Sequence, residues 1–214
     1  MDNYSVSTYG DLIADQYDSL FSHIDPDLVD RLHELSGDGK VLELGIGTGR
    51  IALPLSERGV EVHGIDASPA MLEKLKGRDK NGTISVQIGS FAEFENAEKY
   101  DLIFVVFNTI FALLTQQDQI SCFNSVVKAL KPNGKFLIEA FVPDLTRFDK
   151  GQTIRTVGVS SGQVKLECSQ HDVATQTVTS QLITIDNHQG IKASMPCQPI
   201  ARSGSRIRKA WLLS

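Results

Sequence analysis

The segment Val41–Asp66 constrains the fold of this 214-residue chain more than any other. Its sequence, VLELGIGTGRIALPLSERGVEVHGID, predicts a buried strand, a glycine-rich turn, a helix and a second strand that ends in an acid. Gly45, Gly47 and Gly49 follow the apolar run, where a Cβ would hinder a tight turn and keep a ligand away from the backbone. The pattern therefore predicts a site where backbone amides approach a ligand.

Strand and helix signals alternate along the rest of the first two thirds of the chain, which favours a parallel sheet with helices on both faces. Asp25-Pro26 and Ser68-Pro69 are helix starts, and Gly37 is a helix stop. The predicted strands after Asp66 are Thr83–Ile88, Asp101–Phe107 and Lys135–Phe141, the last of them following a turn at 131–134.

The spacing of the glycines distinguishes between two classes of cofactor. A dinucleotide-binding turn has the pattern G-x-G-x-x-G, whereas this chain has G-x-G-x-G and carries Arg50 where the third glycine would lie. Glu43 precedes the first glycine, and a carboxylate there suits an ammonium group better than a diphosphate. Asp66 ends the second strand, where an acid binds ribose hydroxyls in doubly wound folds. The ligand that this combination predicts is S-adenosylmethionine.

Four blocks of sequence, in this order, resemble the class I S-adenosylmethionine-dependent methyltransferases that act on small molecules. The blocks are ELGIGTGR, GIDASPAML, YDLIFVVFNTIFALL and LKPNGKFLIEAF. They cover about Val41 to Phe141, and TYGDLIADQYDSLF near the N-terminus is similar to the lid helix of these enzymes. The resemblance implies an α/β fold with a doubly wound, mostly parallel, Rossmann-like sheet, and S-adenosylmethionine as cofactor.

The resemblance also implies a set of cofactor-binding residues, in which Glu43 and the glycine loop bind the methionyl end and Asp66 binds the ribose. Many relatives have an acid after the glycine that follows the third strand, and here Ser90 stands there as a weaker acceptor. Met71 and Phe91 also fit simple core packing, and the glycine turn alone also fits a plain strand-to-helix connection. The full set is Glu43, Gly45, Gly47, Gly49, Arg50, Asp66, Ala67, Met71, Ser90, Phe91 and Phe107.

The candidate catalytic residues are Tyr17, on the N-terminal helix, and two histidines near segments that are predicted to face the substrate, His23 and His171. Each also fits a surface or packing role, and methyl transfer depends more on in-line positioning than on a general base. Asn108-Thr109-Ile110 lacks the N-P-P-type motif of relatives that methylate amino groups of DNA and protein. The predicted acceptor is therefore a nitrogen or oxygen atom of a small metabolite.

Composition excludes several other classes. A net charge of −5 argues against a nucleic-acid-binding surface. The start of the chain has no signal-peptide pattern, and the apolar stretch Leu102–Phe107 is far too short to cross a membrane. The three cysteines form neither a metal-binding motif nor a disulfide framework. These observations predict a cytoplasmic protein without a metal, a membrane or a nucleic acid as partner.

Three regions are predicted: a cofactor-binding core with N-terminal lid helices at 1–141, an antiparallel insert at 142–190 and an atypical tail at 191–214. Within the insert, Gln163–Asp172 and Thr177–Asp186 alternate polar and apolar residues, which predicts a hairpin. Such an insert would roof the substrate site or pair two subunits, and in the second case the protein would be a homodimer.

The tail carries five basic residues and no acid. Because Ala193–Ser214 shows no strand pattern, one or both of the strands that close the sheet in relatives are predicted to be missing. We interpret the tail as a frameshifted or truncated reading; the alternative is a genuine basic tail that binds an anionic partner.

Two other functions compete with a methyltransferase. One is a catalytically impaired S-adenosylmethionine-binding protein, and the other, less favoured, is a nicotinamide-dependent oxidoreductase.

Overall fold

The computed structural model describes residues 5–95, 97–141, 144–175, 177–200 and 208–213. These residues form two compact units. The parallel-sheet unit comprises the described residues up to Leu113, Gln117–Ala140 and those from Ala210 onward. The antiparallel unit comprises Leu114–Gln116 and the described residues from Phe141 to Lys209.

The parallel-sheet unit alternates strands and helices as the sequence predicts. Its helices are α1 (Thr8–Leu20), α2 (Pro26–Ser36), α3 (Ala52–Glu57), α4 (Pro69–Arg78) and α5 (Gln116–Ala129). Its strands are β1 (Val41–Leu44), β2 (Val62–Asp66), β3 (Ser85–Ile88), β4 (Tyr100–Val105) and β5 (Leu130–Phe141).

The strands of this sheet lie in the order β5-β4-β1-β2-β3, and each of the four pairings between neighbours is parallel. The order reverses between β1 and β4: β2 and β3 are added on one side of β1, and β4 and β5 on the other. In doubly wound sheets ligands bind at such a switch point, outside the carboxyl ends of the strands. The glycine loop follows β1 and Asp66 ends β2, which places both at that edge.

The predicted starts of α2 and α4 and the predicted end of α2 are confirmed, and each has a local cause. The Asp25 side chain accepts a hydrogen bond from the amide of Asp27 at the start of α2, and Gly37 ends that helix with a φ of 53°. At α4 the Ser68 hydroxyl accepts from the amide of Met71. Both helices carry proline in the first turn, where no amide hydrogen is needed.

A hydrophobic core packs against each face of the parallel sheet. Phe104 lies in one core and Ile103 in the other, and both are fully buried. Successive residues of β4 therefore point to opposite faces, and a strand covered on both faces reads as a continuous apolar run. The described part of the chain contains no helix with the length and apolar character needed to span a membrane.

The antiparallel unit contains the predicted hairpin with the predicted bounds, β7 (Gln163–Asp172) paired with β8 (Thr177–Asp186). Two more strands extend it. They are β6 (Gln152–Ser160), which pairs with β7, and β9 (Gly190–Ile200), which pairs with β8. The insert is thus a four-stranded sheet rather than a hairpin alone.

The sequence of Ala193–Ser214 shows no strand pattern, but its described residues form strands. Strand β9 extends through Ile200, and β10 (Arg208–Leu213) lies beside β5 at the edge of the parallel sheet. Backbone pairing with an existing edge is sufficient to order a strand, whatever its side-chain pattern.

Three predicted boundaries also differ from the structure. The glycine-rich turn alone would let helix α3 begin near Thr48–Arg50, but the helix begins at Ala52. Strand β5 begins at Leu130, and the segment 131–134 is a bulge within it, with a register shift and a φ of 67° at Asn133. Strand β4 ends at Val105, because Phe107 and Asn108, which follow shortly after it, have left-handed backbone angles.

A glycine inside β2 makes room for the glycine loop. A Cβ on Gly64 would lie 2.2 Å from Cδ1 and 2.7 Å from Cβ of Ile46. We expect Gly64→Ala to lower the free energy of unfolding by about 1 to 3 kcal/mol, because it overpacks this contact. Denaturant unfolding measures the change.

The matched control is Gly77→Ala, a glycine-to-alanine change within α4 that meets no atom within 4 Å. It should raise the free energy of unfolding by about 0.5 to 1 kcal/mol through helix propensity. Equal unfolding midpoints for wild type and Gly64→Ala would contradict the packing argument.

Candidate functional site

The three glycines of the loop after β1 have different structural reasons for being glycine. All three have left-handed backbone angles. A Cβ on Gly45 would lie 2.2 Å from Cγ2 of Thr109, and one on Gly49 would lie 2.2 Å from Cδ1 of Leu75. A Cβ on Gly47 would meet nothing within 4 Å. Gly45 and Gly49 therefore allow close internal packing, whereas Gly47 borders open space that a ligand can occupy.

Asp66 connects the glycine loop to the start of α4. Its Oδ2 accepts from the amide of Gly47 at 2.8 Å, and its Oδ1 accepts from the amide of Ser68 at 2.8 Å. Burial raises the pKa of Asp66, and the hydrogen bonds from Ser68 and Gly47 oppose that rise. An acceptor already aligned by two amides at the end of β2 is suited to bind further donors such as ribose hydroxyls.

Glu43 is a buried acid, and one of its carboxylate oxygens has no hydrogen-bond partner. It is 4% exposed, and the oxygen without a partner is Oε2. Burial raises the pKa of Glu43 well above its ordinary value, while the charge of Arg50 and a hydrogen bond from the Ala52 amide oppose the rise. A buried acceptor without a partner is costly, so its presence points to a ligand donor such as an ammonium group. The residues present thus fit the predicted cofactor.

Arg50 and three aromatic rings form a continuous cluster beside this acid. The Arg50 guanidinium carbon lies 4.1 Å from the centre of the Phe107 ring, and an Arg50 nitrogen donates to the carbonyl of His23 at 2.9 Å. The Phe107 ring is 5.2 Å from Phe21, which is 5.0 Å from Tyr17. Burial raises the pKa of Tyr17, so its phenol is neutral at ordinary pH.

Helix α1 is attached to α4 and the glycine loop mainly through polar contacts. Ala14 is its one almost fully buried residue, and Tyr17 is partly buried. Three aspartates spaced along α1 make the polar contacts. They are Asp11 with Ser68 at 2.6 Å, Asp15 with Lys74 at 2.6 Å, and Asp18 with Arg78 at 3.1 Å and Thr48 at 2.7 Å. Asp18 thereby joins α1 to the loop itself.

Asp18, Thr48 and Glu139 contact the site but are not among the residues predicted for it from the sequence. Glu139 Oε2 accepts from the amide of Phe107 at 2.9 Å, although Glu139 stands in the apolar run of β5. An acid inside a strand that is otherwise buried is the signal that identifies it, because buried carboxylates need specific partners. Thr48 gave no separate signal, since it lies within the glycine motif.

The remaining predicted cofactor residues lie at the same edge of the sheet. Met71 and Phe91 are buried, and the edge of the Phe91 ring would be 3.5 Å from a Cβ on Gly45. Ala67 follows Asp66, whose carboxylate accepts from the Ala67 amide. The Ser90 hydroxyl accepts from the amide of Ala92 at 3.1 Å, and this oxygen has a second lone pair for a ligand. Their roles in cofactor binding stay predictions.

The two candidate histidines lie in different units. His23 is exposed just after α1, and its carbonyl, not its ring, contacts Arg50. His171 lies on β7 of the antiparallel unit, with its ring centre 5.3 Å from that of Phe148. Within the described part of the chain, no group of three His, Cys, Asp or Glu side chains has the arrangement of a metal site.

Comparison with known proteins agrees with this geometry. The family described as "Methyltransferase domain" matches residues 41–134. The chain is similar to the CcbJ methyltransferase from Streptomyces caelestis, with a TM-score of 0.81 and 34% identity, over 94% of this chain and 83% of that one. The chain belongs to the class I S-adenosylmethionine-dependent methyltransferase family. As a family member it has S-adenosylmethionine as its cofactor, which confirms the ligand class that the glycine spacing predicts.

Two curated relatives are shorter matches. A relative from Bacillus subtilis (strain 168) that is named as a methyltransferase is 31% identical over 155 residues, 66% of this chain and 62% of the relative. The cypemycin N-terminal methyltransferase of Streptomyces sp is 29% identical over 107 residues, 50% of this chain and 44% of the relative. The chain therefore spans 62% of the length of the first relative and 44% of the length of the second.

The raised pKa of Glu43 makes stability depend on pH. Between the ordinary value of 4.5 and the raised value, the folded protein holds a proton that the unfolded chain releases, so stability falls as pH rises through this window. We expect Glu43→Gln to reduce this slope in urea-unfolding measurements without ligand, leaving the contribution of Asp66, whose pKa is also raised. It should also weaken binding of S-adenosylhomocysteine about tenfold or more, because a charged acceptor is lost. Equal slopes would contradict the assignment.

Substitutions at Gly47 and at Gly59 distinguish the effect of backbone strain from the effect of blocking a ligand. We expect Gly47→Ala to cost about 1 to 2 kcal/mol of stability, because of its left-handed φ, and to abolish measurable binding of S-adenosylhomocysteine in calorimetry. Gly59→Ala is the matched control, with a φ of +87° and nothing within 4 Å of the added Cβ. It should lose similar stability and keep its affinity. Similar affinities for both variants would show that the loop is not the cofactor site.

Proposed function

We propose that this protein transfers a methyl group from S-adenosylmethionine to a nitrogen or oxygen atom of a small metabolite. The observation that carries the proposal is the unpartnered, buried Oε2 of Glu43, beside a glycine loop that is open at Gly47. Asp66 lies at the same edge and is hydrogen-bonded to that loop. Together they provide an acceptor for an ammonium group, an open backbone and an acceptor for a ribose.

Each of these residues has a distinct role in binding. Glu43 would accept from the ammonium group at the methionyl end, Asp66 would accept from the ribose hydroxyls, and Met71 would pack against the adenine. When bound, the cofactor supplies an electrophilic methyl group on a positively charged sulfur. The protein's contribution is to hold that methyl in line with the acceptor, and such positioning supplies about 7 to 11 kcal/mol in well-oriented systems.

The surroundings of the predicted acceptor position suit positioning better than proton transfer. Phe107, Phe21 and Tyr17 provide aromatic surface that excludes water, and the neutral phenol of Tyr17 can donate or accept a hydrogen bond. An amine acceptor needs only to arrive uncharged. The rate with an amine should therefore rise with pH through the pKa of that amine.

Nitrogen is the first acceptor atom to test. The cypemycin relative is named for methylation at an N-terminus, and it matches half of this chain. The geometry around Glu43, Gly47 and Asp66 supports S-adenosylmethionine as the methyl donor, and the name of this relative supports nitrogen as the methyl acceptor.

A homodimer through the antiparallel unit is our expectation. The unit exposes apolar side chains on its outer strands, among them Ile154 and Val159 on β6 and Ile191 on β9, each at least 70% exposed. Exposed apolar surface of this kind favours association. Sedimentation of the protein at several concentrations tests the expectation.

The proposal is tested by binding and by turnover. Calorimetric titration should show saturable binding of S-adenosylhomocysteine and none of NAD. Mass spectrometry of reactions with S-adenosylmethionine and a panel of amines, hydroxy acids and phenols should then show a product heavier by one methylene. Binding without turnover on any class would favour a catalytically impaired binding protein, and binding of NAD alone would refute the proposal.

Asp66 gives the sharpest variant for this test. Asp66→Ala should weaken S-adenosylhomocysteine binding about ten- to a hundredfold, because it removes a charged acceptor worth roughly 1.5 to 3 kcal/mol. Asp79→Ala is the matched control, since Asp79 also accepts from two backbone amides, those of Thr83 and Ile84. The control should keep its affinity. An unchanged dissociation constant for Asp66→Ala would mean that Asp66 does not bind the ribose.

A further inference from the structure

Two successive residues after β4 have a backbone conformation that side chains disfavour. Phe107 has a φ of 58° and Asn108 a φ of 66°. Asparagine tolerates the left-handed region, whereas a bulky residue such as phenylalanine adopts it only under constraint. Non-glycine residues held in this region concentrate at functional sites, where the surrounding structure holds them in place.

The constraint on both residues comes from Glu139. Its side-chain Oε2 accepts from the amide of Phe107 at 2.9 Å, and its backbone carbonyl accepts from the amide of Asn108 at 3.1 Å. Glu139 is 8% exposed and follows Ile138, which is paired with Val105 at the end of β4. A single residue of β5 thus holds two consecutive amides of the turn.

The conformation of this turn determines where the Phe107 ring lies. The ring packs against the Arg50 guanidinium and the Phe21 ring, at 4.1 and 5.2 Å. If the Phe107 amide lost its acceptor, the backbone could relax out of the left-handed region and the ring would leave this contact.

We propose that Glu139 is a positioning residue, which holds the Phe107–Asn108 turn and so keeps the Phe107 ring against Arg50 at the cofactor edge. Glu139 itself touches neither cofactor nor acceptor in this role. The inference rests on the proposed function, because Arg50 and Phe107 are predicted to contact the cofactor.

The experiment compares three substitutions at 139 and 108. Glu139→Met has similar size and cannot accept, and should weaken S-adenosylhomocysteine binding about ten- to a hundredfold. Glu139→Gln keeps an acceptor oxygen and should bind like wild type. Adding Asn108→Gly to Glu139→Met should restore part of the affinity, because glycine adopts the left-handed region without strain.

A matched control separates positioning from general stability. Ser125 is buried, and its hydroxyl accepts from the amide of Phe94 at 3.3 Å. Ser125→Ala therefore also removes a side-chain acceptor from a backbone amide in this unit. It should lower the melting temperature by roughly 2 to 8 °C and leave the affinity unchanged.

The outcomes distinguish this inference from the proposed function. Failure of the wild type to bind S-adenosylhomocysteine would refute the proposed function. Melting temperatures then still test the turn, because the effects of Glu139→Met and Asn108→Gly should be non-additive if Glu139 holds it. Additive effects would overturn the inference. If the wild type binds S-adenosylhomocysteine, two further results would overturn the inference. One is an unchanged affinity of Glu139→Met, and the other is a loss of affinity in Glu139→Gln as large as that in Glu139→Met.

Discussion

The carboxylate of Asp66 is the interaction on which the cofactor edge depends. One oxygen accepts from the amide of Gly47 and the other from the amide of Ser68. The glycine loop, strand β2 and helix α4 are thereby fixed to one group, and the Ser68 side chain in turn caps α4 and contacts Asp11 of α1. Because the same carboxylate is predicted to receive the ribose, the folding of this edge and the binding of a ligand there use the same atoms.

Glu43 shows the opposite relation between folding and binding. An acid without a partner for one of its oxygens destabilises the interior, and its raised pKa reflects that burial. The protein keeps this residue within the first strand of its core, between apolar neighbours. The unfavourable burial is relieved only when a cationic group arrives, so affinity for such a ligand is gained at the expense of stability without it.

Local patterns predicted much of this structure. Glycine spacing, helix caps and polar-apolar alternation identified the loop, α2, α4 and the β7–β8 hairpin, because each depends on residues near one another in sequence. The turn at Phe107 was not predicted, since its acceptor comes from Glu139, thirty-two residues later. The same holds for β10, which lies beside β5, a strand that ends sixty-seven residues earlier at Phe141.

The attachment of α1 differs in kind from that of the other helices. It buries Ala14 and part of Tyr17, and otherwise relies on carboxylates paired with polar or cationic groups; Asp15, for example, is 87% exposed in its pair with Lys74. Dissolved ions screen such pairs, whereas apolar burial is what gives unfolding its large heat capacity. Detachment of α1 should therefore respond strongly to ionic strength and only weakly to cooling. The medium in which the protein works would set how often the loop beneath this helix is uncovered.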